Sequence, residues 1–113
     1  MGEKLQMNIN EYQQYVADGA SSKYNDLGFA ALALVGEVGE VCDVIKKSKI
    51  YDKSNQYSDY ELKLVDEMGD VLWQYMAILN ALDISIDAII AHNVQKLDAR
   101  HGGAKLDATG GKR

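Results

Sequence analysis

Apolar positions along the chain recur with the spacing of helices, and turn residues cut the pattern into four segments. The first follows Asn8, a side chain suited to capping a helix of about ten residues, and Gly19 ends it. After the polar loop "SSKYND" a long apolar run extends from about Asn25 to Lys46 or Lys47, carrying Phe29, Leu32, Leu34, Val35, Val38, Val41, Val44 and Ile45. The Lys-bearing connection "SKIYDKSNQY" separates it from a third helix. Ser58 with Glu61 three residues on forms a capping box that opens this helix, which runs towards Leu82. Ser85 caps a fourth, "IDAIIAHNVQKLDARH", and Gly102 is placed to terminate it. The pattern therefore predicts an all-α, four-helix protomer: a single helical domain over residues 1–102. The tail, 103–113, is Gly-rich, charged and without periodicity, which is the composition of flexible chain.

The second helix is apolar around most of its circumference, so it must be covered on several sides. Three shorter helices do that poorly in one small protomer, and a homodimer or homotetramer with this helix near the interface is expected. A monomeric four-helix bundle is the alternative.

Composition narrows the function. The chain has 113 residues, no Pro and a formal charge of −5, with a pI near 4.9. That balance argues against nucleic acid or an anionic membrane as partner, since both need a basic surface. No apolar run approaches the roughly 18 residues of a spanning helix, and the first residues lack a signal-peptide core. The single cysteine, Cys42, excludes an internal disulfide and a multi-Cys zinc site, so a reducing cytoplasm is the expected location. Cys42 itself reads as a small hydrophobe in a buried helix, His92 as an exposed helix residue and His101 as a cation at a helix C-terminus.

The apolar helices carry charges where burial should forbid them. In "LVGEVGEVCDVIKK", Glu37 and Glu40 stand three apart, one helical turn from each other. In "LVDEMGDVLWQY", Glu67 and Asp70 repeat the arrangement. Two such pairs on antiparallel neighbours can converge, and four carboxylates without Cys or paired His make an all-oxygen site suited to Mg²⁺ or Mn²⁺. Gly36, Gly39 and Gly69 flank the acids; glycine costs helix stability, and close helix approach is the expected compensation.

Glu37-x-x-Glu40, 26 residues (41 to 66), then Glu67-x-x-Asp70 resembles the signature of the MazG-like all-α nucleoside triphosphate pyrophosphohydrolases. "LVGEVGEVCDVIKK", "DEMGDVLWQY" and "NVQKLDARHG" resemble the family's three most recognisable segments, and the similarity covers about residues 9–102. The resemblance implies a helical protomer that dimerises, sometimes into a dimer of dimers. It also implies cleavage of the α–β phosphoanhydride of a (d)NTP to the monophosphate and pyrophosphate, serving nucleotide-pool sanitation or adjustment. Mg²⁺ held by Glu37, Glu40, Glu67 and Asp70 would neutralise the phosphates, and Glu37 or Glu40 would accept the proton of the attacking water.

Cations and base contacts complete that expectation. Lys47 lies seven residues beyond Glu40 and so shares its helix face. Asn93, Lys96 and Arg100 form one stripe of the fourth helix, and the resemblance assigns substrate contacts to Asn93 and Lys96, from near or across a dimer interface. The bland reading of Lys96 and Arg100 is favourable placement near a helix C-terminus. Trp73 and Gln74 follow Asp70 by three and four residues and are candidate substrate contacts. Many relatives carry an aromatic at the position of Gln74, and a lone Trp reads equally as core. Tyr12, Tyr15 and Tyr24 are further candidates for lining a base pocket. Two rivals share the acids: a phosphoribosyl-ATP pyrophosphohydrolase, and a non-catalytic helical protein that binds metal or a partner.

Overall fold

The structure is a computed structural model that describes residues 6–51 and 60–102. Four helices follow in order: α1 (Ile9–Gly19), α2 (Leu27–Tyr51), α3 (Tyr60–Ala81) and α4 (Ile86–His101). No strand occurs among the described residues. Ser58, most of the Lys-bearing connection and the tail from residue 103 lie outside them. The helix starts are local chemistry. Asn8 and Glu11 form a reciprocal capping box, Oδ1 of Asn8 accepting from Glu11 N at 2.8 Å and Oε1 of Glu11 accepting from Asn8 N at 2.9 Å. Asn8→Ala is expected to lower stability by about 1 kcal/mol, read as a fall in the thermal midpoint. Ser85 caps α4 by accepting from Ala88 N, and Gly102 closes it in the left-handed conformation, φ 57°, its N–H donating to Asp98 O.

Two local expectations are corrected. "SSKYND" is not featureless, because Ser22–Asn25 form a turn of 3₁₀ helix. Asp26 then caps α2, its Oδ1 accepting from Phe29 N at 3.1 Å, and α2 runs on to Tyr51, beyond Lys47.

The largest packing interface joins α2 to α3. They run antiparallel: Tyr24, just before α2, meets Trp73 edge-to-face at 5.3 Å, whereas Glu37 further along α2 meets Glu67 and Asp70, earlier in α3. The core is small. Val16 of α1, Met76, Ala77 and Leu79 of α3, and Ile86 of α4 form one buried cluster, with Tyr12, Tyr24, Trp73 and Tyr75 packed against it. At the end of α3, Asp83 takes the left-handed conformation, φ 58°, and Ile84 N donates back to Leu79 O, a Schellman-type stop. From there α4 departs at 100° to α3 and packs against α1. Among the described residues no single helix is long and apolar enough to cross a membrane.

Within a single chain α2 is covered only on the side that meets α3. Leu32 is 75% exposed and Val35 67%, as are Leu62 and Val65 on α3. Among the described residues sixteen large hydrophobic side chains are exposed and seven hydrophobic residues are buried. Cys42 is likewise exposed, not a buried small hydrophobe.

Candidate active site

Helix spacing puts Ala30, Glu37, Val41 and Val44 on one side of α2, and of these Ala30 and Val44 are buried and Glu37 half-buried. Glu37 is thus carried inward by the face that packs on α3. Opposite it stand Glu67, half-buried, and Asp70, exposed. One carboxylate oxygen of each of the three lies within 4.8 Å of the others. None of the three has an ion-pair partner among the described residues. Oε2 of Glu37 is buried and accepts no hydrogen bond. Burial above all, and then the charges of Asp70, Glu67 and Glu40, raise the Glu37 carboxyl above its ordinary value of 4.5. Glu40 is exposed and outside the converging three, although its charge is felt at Glu37.

This donor set fits a hard divalent cation. It offers oxygen alone, with an excess of negative charge and an orphaned acceptor that a cation would satisfy. Ligands of an octahedral ion at 2.0–2.1 Å sit about 3–4 Å apart, so side-chain adjustment alone would bring the three oxygens to that spacing.

Within a single chain, the glycines beside the acids do not serve close helix approach. A methyl group added at Gly36, Gly39 or Gly69 would meet nothing within 4 Å. They leave open space on the outer faces of α2 and α3 instead.

The remaining candidates divide. Tyr12, half-buried on α1, stands close enough to Asp70 to feel its charge; burial first, then Tyr15 and Asp70, raise its phenol above 10.0. Gln74 lies one turn beyond Asp70, its Oε1 buried without a partner. Trp73 packs on the core and against Tyr24. Tyr15 is exposed and stacks on Tyr12, ring centroids 6.0 Å apart. Lys47 is half-buried and paired with Asp43 at 2.9 Å. Asn93, Lys96 and Arg100 are exposed on α4, which has no packing on α2 comparable to its packing on α1. A single protomer therefore does not gather them at the acids. His92 is exposed as expected, whereas His101 is buried at the end of α4, neither ring nitrogen having a hydrogen-bond partner.

Residues 29–103, two thirds of the chain, match the family model described as the MazG nucleotide pyrophosphohydrolase domain. The chain belongs to the MazG family. It is also similar to the gene 37 protein of Mycobacterium phage L5, 27% identical over 95% of this chain and 100% of the relative. No solved structure matches. The MazG match contains all four acids, Lys47, Trp73, Gln74, Asn93 and Lys96, and begins after α1. Sequence reasoning missed one α1 residue that ties the helices together, Gln13; its contacts are all long-range, so no local signal marked it.

Proposed function

We propose that this MazG protein is a Mg²⁺-dependent nucleotide pyrophosphohydrolase that splits the α–β anhydride of (d)NTPs into (d)NMP and pyrophosphate. The observation that carries this reading is the convergence of Glu37, Glu67 and Asp70 around an orphaned Glu37 oxygen. A triphosphate brings three to four negative charges and cannot approach these acids unless they are neutralised. Glu37, Glu67 and Asp70, joined by Glu40 after a side-chain rotation, would hold Mg²⁺, with Mn²⁺ as substitute. Bound there, the ion supplies phosphate charge neutralisation and a more acidic water.

The other roles belong to side chains. Glu37 or Glu40 accepts the proton of the attacking water. Gln74 and Trp73, next along α3 from Asp70, contact the nucleoside. Lys47 adds positive charge beside the phosphates. Asn93 and Lys96 reach them from a second copy of the chain, since their own protomer holds them apart from the acids. Ile90 and Val94, exposed on the α4 face that bears Asn93, mark that face as one awaiting cover. A homodimer, or a tetramer built from two, follows.

The test is pyrophosphate release from a panel of NTPs and dNTPs, together with phosphoribosyl-ATP. Release is expected with Mg²⁺, to vanish with EDTA, and to fall by about 10²-fold in Glu40→Ala, the scale of losing an acid that supports the metal site. Release from phosphoribosyl-ATP alone would reassign the substrate. Metal binding without turnover of any nucleotide would sink the enzymatic reading.

A further inference from the structure

We propose that Gln13 is a positioning residue: an α1 side chain that caps α4 and so sets where α4 carries Asn93 and Lys96. The proposal rests on the substrate role given to those two residues above. Gln13 is half-buried, and its carboxamide is almost completely engaged. Nε2 donates to Asn80 Oδ1 at 3.0 Å and to Ile84 O at 2.8 Å, and Oε1 accepts from Ile86 N at 2.8 Å. Asn80 Nδ2 donates in return to Gln13 O at 3.1 Å.

These partners have a common location. Asn80 is in the last turn of α3, Ile84 is in the connection, and Ile86 is the first residue of α4. The opening N–H groups of a helix have no partner within it. Ser85 takes that of Ala88, while that of Ile86 goes to a side chain more than seventy residues away. Gln13 thus holds both strands of the elbow at which α4 turns 100° from α3, next to the left-handed Asp83. An apolar residue of the same length would leave the Ile84 carbonyl and the Ile86 N–H unpaired in a part-buried site.

A lever makes the consequence large. From Ile86 to Lys96 is ten residues, or about 15 Å of helix, so a swing of about 10° at the elbow moves Lys96 by about 2.5 Å. Displacements of about 1 Å are enough to spoil a bound geometry. Every residue of α4 from Ile90 to Lys96 is exposed in the protomer, with Leu97 half-buried and His101 buried beyond them, so the root at Ile86 is one of the two ends that set the direction of this stretch. Gln13 also follows Tyr12, whose phenol feels the charge of Asp70.

The experiment is a double-mutant cycle between Gln13 and Lys96, which share no contact. Affinity for Mg²⁺ complexes of α,β-methylene dNTPs is measured by calorimetry for wild type, Gln13→Leu, Lys96→Ala and the double variant. Because these analogues are not hydrolysed, the readout is independent of turnover. Lys96→Ala is expected to weaken binding about tenfold, the loss of one charge-assisted contact. Gln13→Leu is expected to match it, and the double variant to be no weaker than Gln13→Leu alone. Gln13→Glu keeps an acceptor for Ile86 N–H and should recover part of the loss. It replaces Gln13→Leu in the cycle if that variant does not fold. Mg²⁺ binding, followed by the fluorescence of the single tryptophan Trp73, should be unchanged in the Gln13 variants. Losses that multiply in the double variant, or Gln13 variants that bind like wild type, would overturn the proposal and leave the assigned function standing. A Lys96→Ala protein that binds as tightly as wild type would remove the role of Lys96, and this proposal with it.

Discussion

Exchanging Glu37 for glutamine is expected to lower pyrophosphate release by about 10²–10⁴-fold, the contribution of a positioned proton acceptor, while making the metal-free protein more stable near neutral pH. Both effects come from one carboxylate. In the folded chain its pKa is raised, by burial first and then by Asp70, Glu67 and Glu40. Between the ordinary value of 4.5 and that raised value the native state therefore binds more protons than the unfolded state. Stability falls as pH rises through this window and does not return above it. Glutamine keeps the shape and removes the charge, so the fall is lost.

Mg²⁺ should act in the opposite direction on the wild type. A ligand present at about 100 times its Kd stabilises the state it binds by about 2.7 kcal/mol, which shifts the midpoint of a domain this size by roughly 10 °C or more. Thermal melts from pH 4.5 to 8, with EDTA and with Mg²⁺, separate the two effects. A Glu37→Gln protein that melts lower than wild type in EDTA at pH 8, or that keeps the full Mg²⁺ shift, would contradict this account of the site.

Leu32→Lys on α2 and Val65→Lys on α3 are expected to break the assembly and, with it, the activity. Leu32 is 75% and Val65 67% exposed in the protomer, so neither change disturbs the core of a single chain. If a second copy covers them, each lysine must lose water at the interface or force the chains apart. The cost of several kcal/mol for an unpaired buried charge corresponds to a loss of more than about 10²-fold in association. Sedimentation should show a dimer or larger species for wild type and monomer for the variants. Loss of activity should follow loss of assembly, because Asn93 and Lys96 would no longer reach the acids. Wild type that sediments as a monomer, or monomeric variants with full activity, would remove the second copy from the site.

Much of this architecture is legible in the chain because the information is local. Asn8 with Glu11, Ser85 with Ala88 and Gly102 with Asp98 are contacts within four residues, so their side chains announce the helix ends before any tertiary contact forms. The acids are legible in the same way: Glu37 with Glu40 and Glu67 with Asp70 stand one turn apart wherever the helices go. The 3₁₀ turn at Ser22–Asn25 and the exposure of Cys42 were not legible. A single hydrogen-bonded turn has little periodicity, and an apolar helix does not itself say which of its sides finds a neighbour.

The sequence by itself determined four helices, the caps at Asn8, Ser85 and Gly102, two acidic pairs and an excess of apolar surface, since periodicity and capping depend on residues within a turn of each other. Only the tertiary structure decided that Glu37, Glu67 and Asp70 converge while Glu40 stays outside. It alone decided that α4 turns away at 100° under a cap from Gln13, and that Leu32 and Val65 face outward. Those outcomes depend on distances between segments tens of residues apart, set by how α1 and α3 share the small core around Val16 and Met76.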